Sequence, residues 1–266
     1  MASAAPVIVA PPPTRASTAR RVALVRLAIV VIVLSGWEVL SMSGWLYRDV
    51  VPSLQAIGKA LATLATRADF YSNLGVTVME IAVAVVIGGL CGLAVGIALG
   101  ANRFLSNAFE ALLLYLGPTP KIIFLPVMLM WFGVGSGSKI AMGVVSCFFP
   151  VAISAAAGMR QIDAVLIRVG RSFRATTWKM VTSIYLPAMR QPVVNGFRLG
   201  LGVAIIGTLL AETKLSNKGL GYLIIQAYAT FDMPSMYALL IVLFVLSIGV
   251  NALIGRLGRD GRRVSA

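Results

Sequence analysis

The chain has 266 residues, of which 59% are hydrophobic and only 12% are charged, and its formal net charge is +14. A soluble domain is about half apolar and about a quarter charged, so this composition excludes a water-soluble globule and indicates a protein that lies mostly in lipid. The basic residues flank apolar segments, as the positive-inside rule requires, which argues against a nucleic-acid-binding domain.

The apolar segments predict an all-α, polytopic membrane protein. Residues 1–21 are rich in Ala, Pro, Ser, Thr and Arg and are predicted to be a disordered cytoplasmic tail. The next apolar run could belong to a signal peptide, but its length favours an uncleaved first membrane helix within 22–50. Six spans of roughly 20 apolar residues are predicted, at 27–46, 74–100, 105–133, 139–158, 192–213 and 235–257.

The 23 Lys and Arg residues predict the orientation of these spans. With a cytoplasmic N-terminus, fifteen of them lie in cytoplasmic segments, six lie outside, Lys139 among them, and Lys121 and Arg198 fall within spans. This asymmetry places both termini in the cytoplasm, with a basic tail at 258–266. The predicted location is the bacterial inner membrane.

Between the first two spans, residues 51–73 are predicted to form a periplasmic amphipathic segment. Leu54, Ile57, Leu61 and Leu64 fall on one face of a helix, so the segment is expected to lie on the membrane surface. The remaining transmembrane domain is predicted at 74–257.

Glycines at every fourth position predict close helix packing in the second span. Residues at that spacing share one helix face, and small residues let two backbones approach. A shorter series occurs in the fifth span. The predicted packing glycines are Gly88, Gly92, Gly96, Gly100, Gly196 and Gly200.

The third span contains Pro118, Pro120 and Pro126. Proline disturbs a helix, and a broken helix within a membrane is tolerated only against protein or a water-filled cavity, so this span is the predicted wall of a pathway. Lys121 follows the break, and charged residues inside membranes are functional by default. Two roles stay open for it: a cation for an anionic substrate, or one half of a buried pair with Glu80.

No motif predicts covalent chemistry. Residues 133–140 resemble a phosphate-binding loop, but Ser138 precedes Lys139 and Ile140 follows it, where a Walker motif needs Gly and Ser or Thr. Histidine is absent and the two cysteines lie in apolar stretches, so neither a catalytic cluster nor a metal site is predicted.

The longest cytoplasmic segment, residues 159–191, is called the coupling loop below. At 100° per residue, its first half places an apolar face opposite a basic face formed by Arg168, Arg171 and Arg174. Such a helix could lie on anionic lipid or enter a groove on a partner. The predicted apolar face contains Ile162, Val165, Leu166, Val169 and Phe173.

The second half of the loop resembles the EAA loop of binding-protein-dependent ABC importer permeases. That family has Glu-Ala-Ala, three residues, Gly, nine residues and Ile-x-Leu-Pro. The spacing agrees throughout, although Arg168 stands at the Glu position and Arg174 at the Gly position. The matching positions are Arg168, Val169, Gly170, Arg171, Ser172, Phe173, Arg174, Ala175, Ile184, Leu186 and Pro187.

Further similarities lie at residues 118–133, 195–202, 211–212 and 219–222. The resemblance is to the nitrate, sulfonate and taurine branch, and it implies a permease that moves a small anion by alternating access. It also implies that the coupling loop docks on a separate ATPase dimer, which holds ATP and Mg²⁺, and that Pro187 ends the helical part of this loop. A second permease chain, by default an identical one, and a periplasmic substrate-binding protein are the other implied partners.

Three other classes of membrane protein were weighed against this resemblance. An ion-coupled transporter would show inverted repeats and coupling carboxylates, and a membrane enzyme would show a clustered nucleophile, base or metal set. A channel would conduct without ATP. The coupling loop and the lack of a visible repeat favour the importer permease.

Overall fold

A computed structural model describes residues 15–45 and 50–259, and within these ranges all regular structure is helical, which confirms the all-α prediction. A 3₁₀ turn at Lys121–Phe124 and a π-helical segment at Val181–Tyr185 join some of the helices. The α-helices are α1 (Arg15–Met42), α2 (Leu54–Ala65), α3 (Ala68–Ala101), α4 (Arg103–Leu116), α5 (Leu125–Phe132), α6 (Ser136–Arg160), α7 (Ala164–Ser172), α8 (Thr177–Met180), α9 (Leu186–Ala188), α10 (Arg190–Lys214), α11 (Leu220–Ala229) and α12 (Met233–Arg259).

Five of the described helices, α1, α3, α6, α10 and α12, are long and apolar enough to cross a bilayer. The predicted third span is not one helix. Its two parts, Arg103–Leu116 and Lys121–Phe132, are bent by 93° at a short break. Pro118 and Pro120 lie in that break and lack the N–H groups that would continue the helix. Counting the bent pair as one span gives up to six, which agrees with the predicted number.

The described residues up to Lys59 form a compact unit of their own. Within it, the end of α1 is tied to the chain that leads into α2. The Ser41 hydroxyl donates to the Val51 carbonyl oxygen at 2.9 Å, and the Leu54 N–H donates to Glu38 Oε2 at 2.9 Å. A carboxylate at a helix N-terminus accepts free backbone N–H groups and complements the helix dipole. Glu38 therefore anchors the first turn of α2.

The second unit begins at residue 60, and its centre is α6, packed between α3 and α10. A Cβ atom added to any of the predicted glycines of α3 would lie 2.3–2.6 Å from an atom of α6. On α10, added Cβ atoms at Gly196 and Gly200 would lie 2.7 Å from Ser154 and 2.9 Å from Cys147. Only glycine allows α3 and α10 to pack this closely against α6. The spacing of the glycines therefore determines how these three spans pack together.

Two predicted boundaries differ from the structure. α3 begins at Ala68, so the end of the predicted outer segment 51–73 belongs to a span. Asp69 lies in the first turn, where an acidic residue is favourable. α6 begins at Ser136, so Lys139 lies inside a helix and is fully buried, not in an outer loop.

Candidate functional site

The coupling loop begins with α7, which carries an exposed apolar face. Asp163 starts this helix as an N-cap residue: its carboxylate accepts a hydrogen bond from the Val165 N–H at 2.8 Å. Val165, Leu166 and Val169 are each about half exposed, and Phe173, directly after the helix, is 83% exposed. A contiguous exposed apolar patch of this kind marks an interaction surface.

The opposite side of α7 is fixed to the end of the spans. Ile167 packs against a buried cluster that contains Met159, Met180 and Met189. A Cβ atom on Gly170 would lie 2.4 Å from the end of the Ile184 side chain and 2.6 Å from Met180 Sδ, so this glycine is in close contact with the second half of the loop. Ile162, predicted on the free face, instead packs against the same cluster because it precedes the first turn of α7. The loop thus presents one face outward on a rigid support.

Basic side chains surround the exposed patch. Arg168, Arg171, Arg174 and Lys179 are all exposed, and no ion pair within the described residues involves them. The Ser172 hydroxyl is satisfied within the helix, since it donates to the Arg168 carbonyl oxygen at 3.0 Å. The surface is therefore apolar at its centre and positively charged around it.

The turn after α7 is a Schellman motif. The Ala175 N–H donates to the Gly170 carbonyl oxygen at 3.0 Å, and the Arg174 N–H donates to the Arg171 carbonyl oxygen at 2.9 Å. This motif requires a left-handed residue at its centre, which is usually glycine. Here Arg174 adopts that conformation, with φ of 48°. The turn explains why a glycine suits this position of the EAA pattern.

We expect Arg174→Gly to stabilise this turn by about 0.5–1 kcal/mol. The substitution removes left-handed strain of roughly 1–2 kcal/mol, against a backbone entropy loss of about 0.5–1 kcal/mol. Slower amide hydrogen exchange in the last turn of α7 measures it. Arg171→Gly is the matched control, because it removes the same charge inside the helix and should cost about 1 kcal/mol. Equal loss of protection in both variants contradicts the prediction.

The second half of the loop leads back into the membrane without a break at Pro187. Thr176 caps α8, and the chain continues through the π-helical segment into α9. Pro187 lies in the first turn of α9, where its missing N–H is tolerated. Helical structure ends one residue later, because Ala188 is the last residue of α9 and Met189 is not helical, with φ of −101° and ψ of 18°. The helical part of the loop therefore ends within one residue of the predicted Pro187. Leu186 is half-buried, and Tyr185 lies in the buried cluster beneath α7.

The proline break borders a hollow of about 340 Å³. Pro118, Pro120 and Lys121 line it together with residues of α6 and α10, including Met142 and Val203. Pro126 does not line it, and it lies in the first turn of α5, a position that proline tolerates. The break thus places a polar backbone segment beside a cavity, as expected for a pathway wall.

Lys121 does not pair with Glu80. Its ammonium group donates to the Thr119 carbonyl oxygen at 3.1 Å and also to that of Gly117. It lies 5.2 Å from the centre of the Phe149 ring, within the range of a cation–π contact. The charge is therefore stabilised by carbonyl oxygens and a ring at the cavity and remains available to an anion.

Glu80 lies elsewhere, in a buried ionic cluster with Lys139 and Glu212. All three are at most 1% exposed, and Lys139 lies within electrostatic reach of both carboxyl groups. Its ammonium group donates to the Leu215 carbonyl oxygen at 2.6 Å and to that of Val134. Glu80 Oε2 has no hydrogen-bond partner among the described residues. The cluster joins α3, α6 and α10.

Glu212 also holds the start of α11. Its two carboxylate oxygens accept from the Thr77 hydroxyl at 2.7 Å and from the Gly221 N–H at 2.6 Å. Gly219, with φ of 105°, passes so close that a Cβ atom there would lie 2.5 Å from the carboxylate. In the sequence, Glu212 stands one residue before the end of the predicted span 192–213, and its position alone does not indicate this role. The two glycines of Gly219-Leu220-Gly221 are the sequence feature that could have indicated a buried side chain packed against the start of α11, because they leave room for it.

Comparison with known proteins relates the chain to transport subunits. Residues 85–263 match the family described as "Binding-protein-dependent transport system inner membrane component". A probable ABC transporter permease protein of Haemophilus influenzae is 30% identical over 84% of this chain and 90% of its own length. The taurine transport system permease protein of Escherichia coli is 30% identical over 78% of each chain. The nitrate import permease protein of Synechococcus elongatus is 26% identical over 68% of this chain and 67% of its own.

A solved structure supports the fold. A chain of the MetNI methionine ABC transporter in an inward-facing conformation superimposes with a TM-score of 0.60 at 22% sequence identity, covering 71% of this chain and 94% of that one. The matched residues 85–263 include α6, α10, the part of α3 that carries the packing glycines, the coupling loop and the cluster residues Lys139 and Glu212. The chain therefore belongs to the binding-protein-dependent transport system inner membrane components, the ABC permease subunits, and is a transport component rather than an enzyme.

Proposed function

We propose that this chain forms the pathway of a bacterial inner-membrane importer that moves a small anion, of the nitrate, sulfonate or taurine class, from periplasm to cytoplasm. The observation that carries the proposal is the exposed face of α7, an apolar and basic surface on a rigid support. Phe173 at its centre is 83% exposed. A surface with this composition is typical of a binding site for a protein partner and not of a face that stays in contact with water.

The partner is an ATPase dimer that binds ATP and Mg²⁺, and the coupling loop enters a cleft on it. Apolar side chains of α7 would fill the cleft while Ile167 and Gly170 hold the helix on the spans. Movement of the ATPase would thereby reach α6 and α10, on which alternating access depends. We further propose an acidic rim on this cleft, because Arg168, Arg171 and Arg174 surround the apolar patch without ion pairs among the described residues.

The anionic class of substrate is supported by Lys121. Its ammonium group lies at the cavity beside the proline break, and carbonyl oxygens leave its positive charge uncancelled. Relatives named for taurine, sulfonate and nitrate transport point to the same class. A second copy of the permease would close the cavity, and a periplasmic binding protein would deliver the anion.

Uptake into vesicles tests the proposal. The permease is reconstituted with an ATPase and a binding protein of the same transport system. ATP-dependent uptake of nitrate, taurine and an alkanesulfonate is then compared with uptake of riboflavin, which one relative is named for. We expect uptake of an anion only with ATP. Uptake of riboflavin alone would refute the anionic class, and uptake driven by an ion gradient without ATP would refute the importer.

A further inference from the structure

A second surface feature, separate from the coupling loop and the pathway, is an apolar groove where α3, α10 and α12 meet. Its volume is about 230 Å³, and all ten residues that line it are aliphatic. Val78 and Val85 come from α3, Leu201 and Ile205 from α10, and Val250 and Ile254 from α12. A narrow cleft with only aliphatic walls suits a hydrocarbon chain.

One end of this groove carries a guanidinium group. Arg198, Leu201 and Ile205 lie on one face of α10, because residues three or four apart are neighbours on a helix. The Arg198 Nε–H donates to Asn251 Oδ1 at 3.1 Å. A Cβ atom on Gly255 would lie 2.9 Å from Arg198 Nη2, so this glycine makes room for the guanidinium. Asn251 and Gly255 directly follow the groove residues Val250 and Ile254.

The charge of Arg198 is not balanced within the described residues. Arg67 and Arg160 form ion pairs with Asp69 and Glu110, and neither pair involves Arg198. An arginine has five N–H donors, and Asn251 accepts from one of them. Arg198 lies eight residues into α10, about 12 Å from the end that follows the coupling loop, and within a candidate span. An uncompensated charge within a span is costly, so an anion is expected there.

We propose that this groove binds an anionic phospholipid, with an acyl chain between α3, α10 and α12 and the phosphate on Arg198. The apolar walls and the cation are adjacent, as the two parts of a phospholipid are. Basic pockets between membrane helices bind anionic headgroups in this way. The phosphate would accept from the free Nη N–H groups in a charge-assisted contact.

Lipid retention and thermal unfolding of the detergent-purified full chain test the proposal. Dioleoyl phosphatidylglycerol should raise the unfolding temperature more than dioleoyl phosphatidylcholine, and native mass spectrometry should show it retained. Arg198→Gln should remove this preference, with retention weakened about tenfold, as for loss of one charged contact. Arg103→Gln, at an exposed arginine on α4, should preserve it.

Four results would overturn the proposal. Equal loss in Arg103→Gln and Arg198→Gln would show diffuse attraction to the basic surface, and equal stabilisation by free glycerol phosphate would show a phosphate site without lipid. Loss of a co-purified protein chain in Arg198→Gln, with lipid retention unchanged, would assign the arginine to a protein carboxylate. Ile254→Trp fills the groove without touching the charge and should weaken both lipids. If Ile254→Trp retains both lipids as the parent does, the groove is not the lipid site. This test does not depend on whether Arg198→Gln folds.

Discussion

Phe173→Asp is expected to abolish association with the ATPase and to reduce ATP-dependent uptake to background, while the permease remains folded. The ring is 83% exposed in the isolated chain, so the substitution costs the fold little. In the complex it would fill the centre of an interface, where an aromatic anchor contributes about 2–4 kcal/mol, and a buried aspartate would add a desolvation penalty. Co-purification in detergent and vesicle uptake measure the two effects.

Phe231→Asp is the control for this variant. Phe231 is also an exposed aromatic residue, 57% exposed, but it lies in the turn between α11 and α12. It should leave both measurements unchanged. The proposed acidic cleft adds an expectation: the parent complex should weaken as salt is raised, since salt screens exposed charges. Retention of the ATPase by Phe173→Asp would contradict the docking role of α7.

Glu212→Ala is expected to lower the free energy of unfolding by about 2–6 kcal/mol, because each buried donor that loses its acceptor costs about 1–3 kcal/mol. The Thr77 hydroxyl and the Gly221 N–H would lose their acceptors. Lys139 would retain only Glu80 as a nearby carboxyl group. Unfolding in mixed micelles at increasing denaturant measures the change.

Two variants bracket this effect. Glu110→Ala breaks a pair with Arg160 in which the side chains are 31% and 45% exposed, and it should cost under about 1 kcal/mol. Glu212→Gln keeps one of the two acceptor oxygens, so it should fall between the two. If Glu212→Ala costs no more than Glu110→Ala, the buried ionic cluster does not stabilise the fold.

Features that depend on one helix could be predicted from the sequence. The glycines of α3 follow a period of four, and the outward face of α7 follows a helical repeat, because both patterns are local. Pro118 and Pro120 predicted a break in the third span. The angle of 93° could not be predicted, because it depends on the residues that pack around the break.

Contacts between residues that are far apart in the sequence could not be predicted. Lys139 follows a run of Gly and Ser that is typical of a turn as well as of a helix start. Its side chain is buried because α3 and α10 pack around it, which the local sequence does not indicate. For the same reason the sequence left two roles open for Lys121, one of them the pair with Glu80 that the structure does not form. Hydropathy indicates how deep a residue lies in the membrane but not which residue it contacts. The left-handed Arg174 was hidden because its side chain gives no sign of the backbone conformation.

Helix α10 connects the two regions that this chain has to coordinate. It follows the coupling loop at Arg190 and reaches Glu212, in the ionic cluster, near its other end. At 1.5 Å per residue its 25 residues form a rod about 37 Å long. A tilt of about five degrees at the loop would move the far end by about 3 Å, the length of one hydrogen bond. Glu212 contacts both α3, through Thr77, and the start of α11, through Gly221. A small displacement of the coupling loop would therefore change these contacts at the opposite end of α10.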